Sequence, residues 1–323
     1  MVPISMASSQ PQSLLRRRVA PNWVGPRRGE RACEKNPECP PCHSTIGVPN
    51  MCPRRTGQPG RADRAGAIGG LAPALVVFHG TFVAGGGGEP VKRIGLLGGM
   101  SWESSVEYER VINREVQRRC GGVASADLVV RSLDFSVVEK LQATDRWTDA
   151  GELLAAEAAL LERAGCEIIV LCTNTMHRVA DAIEAAIGVS FIHIADATAD
   201  AVRAAGVTTV GLLGTRYTME ADFYAGRLRD RHGLDVVVPP ADQRDVVHRI
   251  IYDELVRGVV NDASRAQMLT VIEGLRDRGA TGVIAGCTEI ELLVRPHDVD
   301  GVYFPTAELH ARAAVDAALA SEG

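Results

Sequence analysis

The sequence predicts an α/β fold of two pseudo-symmetric lobes, each an open parallel sheet flanked by helices, preceded by a disordered N-terminal tail. Three observations carry this reading. From Val91 onward, short apolar runs alternate with amphipathic stretches, the pattern of buried parallel strands joined by crossover helices. The pattern then repeats: "IGLLGG" at 94–99 returns as "VGLLGT" at 210–215, placing Gly95 and Gly211 116 residues apart, while Cys172 and Cys287 stand 115 apart. Two landmarks with nearly one offset point to two similar lobes. Finally, composition changes near residue 90. Residues 1–90 hold eleven basic residues against five acids, a net charge of +6, and the remainder carries 24 basic against 35 acidic, a net of −11.

The elements follow in order. "VKRIGLLGG" reads as a buried strand ending in glycines, "WESSVEYERVINREVQRR" as a helix, and "DLVVRSLDF" as a strand. "AGELLAAEAALLERAG" is a helix closed by Gly165. "EIIVLCTNT" is a strand, "MHRVADAIEAAIG" a helix and "VSFIHIADA" a fourth strand. The second round gives helix "ATADAVRAAG", strand "TTVGLLGT", helix "ADFYAGRLRDRHG", strand "LDVVVPP", helices "DVVHRIIYDELVRG" and "SRAQMLTVIEGLRDRG", and strand "TGVIAGCTE". The last helix, "AELHARAAVDAALA", is free to return to the first lobe. The expected division is therefore tail 1–90, first lobe 91–197 joined by 305–323, and second lobe 198–304.

The tail is rich in Pro, Gly, Ser and Arg and shows no period that could bury a face. Its composition resembles an organelle transit peptide, but a plain tail or a start codon set too far upstream is the preferred reading. Cys33, Cys39, Cys42 and Cys52 lie in it, and "CPPCH" ending at His43 contains a haem-attachment string. No second closely spaced Cys/His pair completes a zinc site, so these cysteines read as incidental. No apolar run reaches the roughly 20 residues that cross a bilayer, and the acidic remainder would repel phosphate backbones. Membrane and nucleic acid are thus excluded as partners, and a cytoplasmic protein acting on a small molecule is expected.

In open parallel sheets, ligands sit beyond the carboxyl ends of the strands. Cys172 and Cys287 both lie there, each ahead of a helix whose N-terminal dipole should lower a thiol pKa from about 8.5. Two thiols facing one cavity suit proton removal from one face of a stereocentre and return on the other, which is racemisation or epimerisation. Backbone N–H groups and the hydroxyls and amide of Thr173, Asn174, Thr175 and Thr288 are the available donors to the developing anion. "GLLGG" lacks both the GxGxxG spacing of a dinucleotide fold and the GK[ST] of a phosphate loop; its glycines read as room for a small carboxylate. Cys120 and Cys166 read as small hydrophobes.

The strings "IGLLGGMSWESSVEYERVIN", "VLCTNTMHRVADAIE", "HIADAT", "LLGTRYTMEADFY" and "GCTEIELL" resemble the aspartate/glutamate racemase family, and most of all its broad-specificity bacterial branch. The likeness runs from about Val91 to the C-terminus. It implies an amino-acid racemase without pyridoxal phosphate, other cofactor or metal, with the site between two lobes and with a homodimer as candidate assembly. It also implies that Cys172 and Cys287 are the catalytic bases and that Met100, Gln142, Thr173, Asn174, Thr288 and Glu289 contact substrate, with His177 and Thr215 behind them. Where aspartate-specific relatives commonly carry a Lys, this chain has Val256, next to Arg257, so a wider range of L-amino acids is expected.

Several residues keep two readings. His177 could tune Cys172 or serve the scaffold; Glu289 could bind a substrate ammonium or cap its helix. His193 and Asp196 could line the cleft or hold the hinge. The competing functions are a decarboxylase or cis–trans isomerase of small dicarboxylates, a cysteine hydrolase using Cys172 with His177, and a non-catalytic binding protein for small acids.

Overall fold

The structure is a computed structural model that describes residues 91–320. The expectations for residues 1–90, including the four tail cysteines and His43, lie outside the described residues.

Among the described residues, eight strands form two sheets, all parallel. The first runs β2 (Leu128–Ser132), β1 (Ile94–Gly98), β3 (Ile168–Leu171), β4 (Ser190–Ile192); the second runs β6 (Asp235–Val237), β5 (Thr209–Gly214), β7 (Gly282–Gly286), β8 (Val302–Pro305). The orders are identical, so the doubling read from sequence is a doubling of topology. The central strands β1, β3 and β7 are buried throughout, as expected of strands covered on both faces.

Each sheet separates two apolar cores. In the first, Ile94 and Leu96 pack with Tyr108 and Ile112 of α1 (Trp102–Cys120), while Leu97 and Ile169 face Leu154 and Ala158 of α3 (Trp147–Arg163). Between β2 and α3 lies α2 (Phe135–Ala143), and beyond β3 a 3₁₀ turn (Thr175–Val179) leads into α4 (Ala180–Glu184). In the second sheet, Val210 and Leu212 face Val202 of α5 (Ile194–Ala204) and Leu228 of α7 (Asp222–His232). There, a short α6 (Arg216–Glu220) precedes α7. Leu213 and Val283 face Val247 of α8 (Ala241–Arg249) and Met268 of α9 (Asp262–Asp277). The second half closes with α10 (Ile290–Leu293) and α11 (Thr306–Leu319).

The terminal helices are exchanged. α11 follows the second sheet, yet Ala311, Ala314 and Val315 pack into the core of α1 and the first sheet. α5 follows the first sheet, yet packs with α7 on the second. Glu115 of α1 anchors α11: its buried carboxylate accepts from Arg118 and Arg119 of its own helix and from Arg312 of α11.

Some elements differ from the sequence reading. "VSFIHIADA" yields only three strand residues, because His193 turns the chain and caps α5, its Nδ1 accepting from the Ala195 N–H. "MHRVADAIEAAIG" is a 3₁₀ turn and a five-residue helix rather than one long helix. "DVVHRIIYDELVRG" leaves α-helical geometry after Arg249 for a π turn over Ile250–Glu254. β8, α2 and α6 carried no sequence expectation, and the helix expected after Cys287 is only the four-residue α10.

Candidate active site

Six side-chain hydrogen bonds join the carboxyl ends of the two sheets. Ser104, near the start of α1, bonds to Thr288 at 2.5 Å and donates to Glu289 at 2.6 Å. Thr175 meets Thr215 at 2.9 Å and Thr218 at 3.4 Å, and Asn174 Nδ2 donates to Thr306 at 3.0 Å. Tyr252, in the π turn, donates to Gln142 Oε1 at 3.0 Å. The loops that follow β1 and β3 therefore meet those that follow β5, β7 and β8, and Cys172 and Cys287 shortly precede, in the chain, the residues Asn174 and Thr288 that take part.

The glycines after β1 create the close approach. A Cβ on Gly98 would collide with Ser105 Oγ, and one on Gly99 with the Leu133 backbone. Ser105 Oγ in turn accepts from the Gly99 N–H at 2.8 Å. The space left by these glycines is thus filled by the protein's own chain.

Cys172 and Cys287 end equivalent strands but are not equivalent positions. Leu97 pairs with Leu171, and its counterpart Leu213 pairs with Ala285, so β1 maps to β5 with an offset of 116 and β3 to β7 with 114. By that register, Gly286 occupies the place of Cys172, and Cys287 the place of Thr173. A one-residue step reverses the face of a strand. Accordingly, Cys172 packs with Ile168 and Val170 on the α1/α11 side, whereas Cys287 packs with Val283 and Ala285 on the α8/α9 side.

Their surroundings differ too. Cys172 is fully buried, and its only hydrogen-bond partner among the described residues is the Val170 carbonyl, 3.7 Å from Sγ. Cys287 is 6% exposed and donates to Glu289 Oε2 at 2.9 Å. The expectation of depressed thiol pKa values is overturned. Burial pushes both thiols well above their ordinary range, and the Glu289 carboxylate raises Cys287 further. The helices that follow are a 3₁₀ turn and a four-residue α10, too short for a dipole that offsets desolvation.

Glu289 does not cap α10 through its side chain. Its carboxylate instead collects three donors, Cys287, Ser104 and Thr288. His177 is committed to the scaffold: Nδ1–H donates to the Thr173 carbonyl at 2.7 Å and Nε2 accepts from the Ile194 N–H at 3.2 Å. Its ring packs on His193 and lies near His310, and burial drives its pKa well below the ordinary value. Asp196 lies away from the thiols in a salt bridge with Arg227 and His232, tying α5 to α7. Met100, Gln142, Thr173, Asn174, Thr175, Thr215 and Thr288 are all buried. Two buried polar atoms near the seam, Asn174 Oδ1 and Ser101 Oγ, have no partner among the described residues.

No Lys or Arg occurs among the buried side chains of the described residues. Val256 packs against the second lobe's core, and Arg257 is exposed. Among the described residues, no group of three His, Cys, Asp or Glu side chains could hold a metal ion, and no helix is long and apolar enough to cross a membrane. Sequence reasoning missed Ser101, Ser104, Tyr252 and Thr306. The serines carried a usable signal, since they follow the glycine-ended strand directly; Tyr252 had none, because its placement depends on the π turn.

A family model for Asp/Glu/hydantoin racemases matches residues 97–314. A Yersinia pestis protein whose name places it among the Asp/Glu racemases has a crystal structure similar to this chain, at 49% identity and TM-score 0.67, over 71% of this chain and 100% of that one. An aspartate racemase homologue from Pyrococcus horikoshii OT3 is similar at 35% identity and TM-score 0.61, over 70% of this chain and 99% of the other. The aspartate racemase of Picrophilus torridus, at 21% identity and TM-score 0.58, shares the fold. The chain belongs to the Asp/Glu/hydantoin racemase family.

Proposed function

We propose that the protein is an amino-acid racemase working without pyridoxal phosphate, with Cys172 and Cys287 as the two acid/base groups. The observation that carries this reading is the seam itself: polar bonds from both lobes converge where two buried thiols end equivalent strands. In the forward step the thiolate of one cysteine takes the α-proton. The thiol of the other delivers a proton to the opposite face, its electron pair remaining on sulfur.

Asn174 Oδ1 is an acceptor without a partner and suits the substrate ammonium. Ser101 Oγ, also without a partner, and neighbouring hydroxyls suit the carboxylate, whose negative charge grows as the α-proton leaves. With Gln142 at the seam and no buried Lys or Arg among the described residues, the side chain best received is uncharged rather than a second carboxylate. Both thiols are protonated at neutrality in the free protein, so a thiolate must be generated for turnover; the Glu289 carboxylate beside Cys287 is the base placed to do so.

The test is to incubate the full-length chain with L-alanine, L-methionine, L-asparagine, L-aspartate and L-glutamate in deuterated water without pyridoxal phosphate. α-Proton exchange and D-isomer formation are then followed. Exchange with inversion is expected, fastest for an uncharged side chain. Carbon dioxide release, or binding without exchange, would replace this reading with a decarboxylase or a binding protein.

A further inference from the structure

A racemase with two thiols ends each turnover with its protons reversed: the sulfur that began as thiolate is neutral, and its opposite has given its proton away. Before a second molecule of the same hand can react, both sulfurs must exchange protons with the surroundings. Cys172 and Cys287 are 0% and 6% exposed, so direct exchange with bulk water is blocked.

On the racemase reading above, we propose that Glu291 is the outer end of a proton relay serving Cys287 alone, running through Glu289, Thr288 and Ser104 to a water-sized cavity. Cys287 Sγ lies 2.9 Å from Glu289 Oε2; the same oxygen lies 3.0 Å from Thr288 Oγ1; Thr288 Oγ1 lies 2.5 Å from Ser104 Oγ. Ser104, Thr288 and Glu291 then line a cavity of about 10 Å³, with Glu103, Glu107 and Arg295 at its rim. That is room for about one water.

Glu291 is buried, and its only hydrogen bond among the described residues is from the Ala307 N–H to Oε1 at 2.8 Å, so Oε2 is left for the cavity. It faces Glu107 of α1, Glu308 of α11 and Arg295 beyond α10. Burial raises its pKa to about 8, which lets it both hold and release a proton near neutrality.

The transfer balances. Sγ–H breaks and O–H forms on Glu289, the electron pair staying on sulfur. Once the Thr288 and Ser104 hydroxyls turn away from Glu289, toward Ser104 and the cavity respectively, Glu289 passes a proton to Thr288 as Thr288 passes its own to Ser104, and Ser104 passes one through the cavity water to the Glu291 carboxylate. Glu289 and both hydroxyls are restored, and Glu291 ends protonated. Reversal reloads the thiolate. Cys172 has no such chain among the described residues, so its exchange takes another route.

The discriminating variant is Glu291→Gln in the full-length chain, which keeps size and the acceptor for Ala307. A relay role slows recovery of the free protein between turnovers without touching capture of the first substrate. With the panel amino acid that wild type racemises fastest, kcat is expected to fall about tenfold while kcat/KM stays within twofold. Glu291→Asp, which keeps the carboxyl but draws it back from the cavity by one methylene, is expected to give the same split in smaller measure and serves if Glu291→Gln does not fold. An unchanged kcat, or kcat and kcat/KM falling together, overturns the relay. Absence of α-proton exchange in wild type overturns the racemase reading itself, and the relay with it.

Discussion

Cys172 and Cys287 end corresponding strands of a doubled fold, yet one lies among apolar side chains with a backbone carbonyl for company, and the other sits against a carboxylate wired to two hydroxyls. Duplication preserved the strand ends and not the chemistry around them. A one-residue difference in the second central strand turned its thiol to the other face of the sheet, where different helices and different polar groups await it. Two thiols that look interchangeable in sequence therefore stand in unequal surroundings.

The most severe way to probe this inequality is to delete each thiol. Cys172→Ala and Cys287→Ala are both expected to reduce racemisation by at least 10²–10⁴-fold, as loss of a positioned acid/base group does. Near-wild-type inversion in either variant, measured by chiral chromatography, breaks the two-base reading. Next in size is pH. Both thiols are raised by burial, so the thiolate fraction is small at neutrality and grows with pH. kcat/KM is expected to climb between about pH 7 and 9, at up to tenfold per unit; a plateau by pH 7 would mean a thiol already ionised.

Tyr252→Phe removes one bond between the lobes, to Gln142. Its loss is expected to raise KM about fivefold, matching about 1 kcal/mol, with kcat changed less. The smallest effect on activity concerns the scaffold shared by both thiols. His193 and His310 are held neutral, their pKa values lowered by burial to about 2 and about 4. A depressed histidine binds fewer protons folded than unfolded. Stability is therefore whole above about pH 6.5 and is lost as pH falls toward 4. Urea midpoints that hold steady across that range would place these rings in a wetter setting than their burial implies.

Much of this was legible in the sequence because buried parallel strands write themselves as apolar runs. β1, β3, β5 and β7, the glycines that end β1 and both cysteines were placed from pattern alone, and the recurrence of "GLLG" exposed the doubling. Three features were hidden for physical reasons. The one-residue slip between Cys172 and Cys287 is invisible in a spacing of 115, since 116 in one strand pair and 114 in the next average to it. The π turn that carries Tyr252 has no composition of its own. The thiol pKa values followed from burial, which outweighs any dipole of a four-residue helix, and burial depends on the whole fold. Helices were read too long at "MHRVADAIEAAIG" because local periodicity does not report a 3₁₀ start.

The crossing of α5 and α11 bears on how the protein comes into being. Tyr108 of α1 bonds to His310 of α11, 202 positions downstream, so the half of the sheet pair made first on the ribosome lacks a wall until α11 emerges. The nascent first half must wait with an open apolar flank, and a chain cut between the halves leaves each fragment missing a helix that only the other can donate.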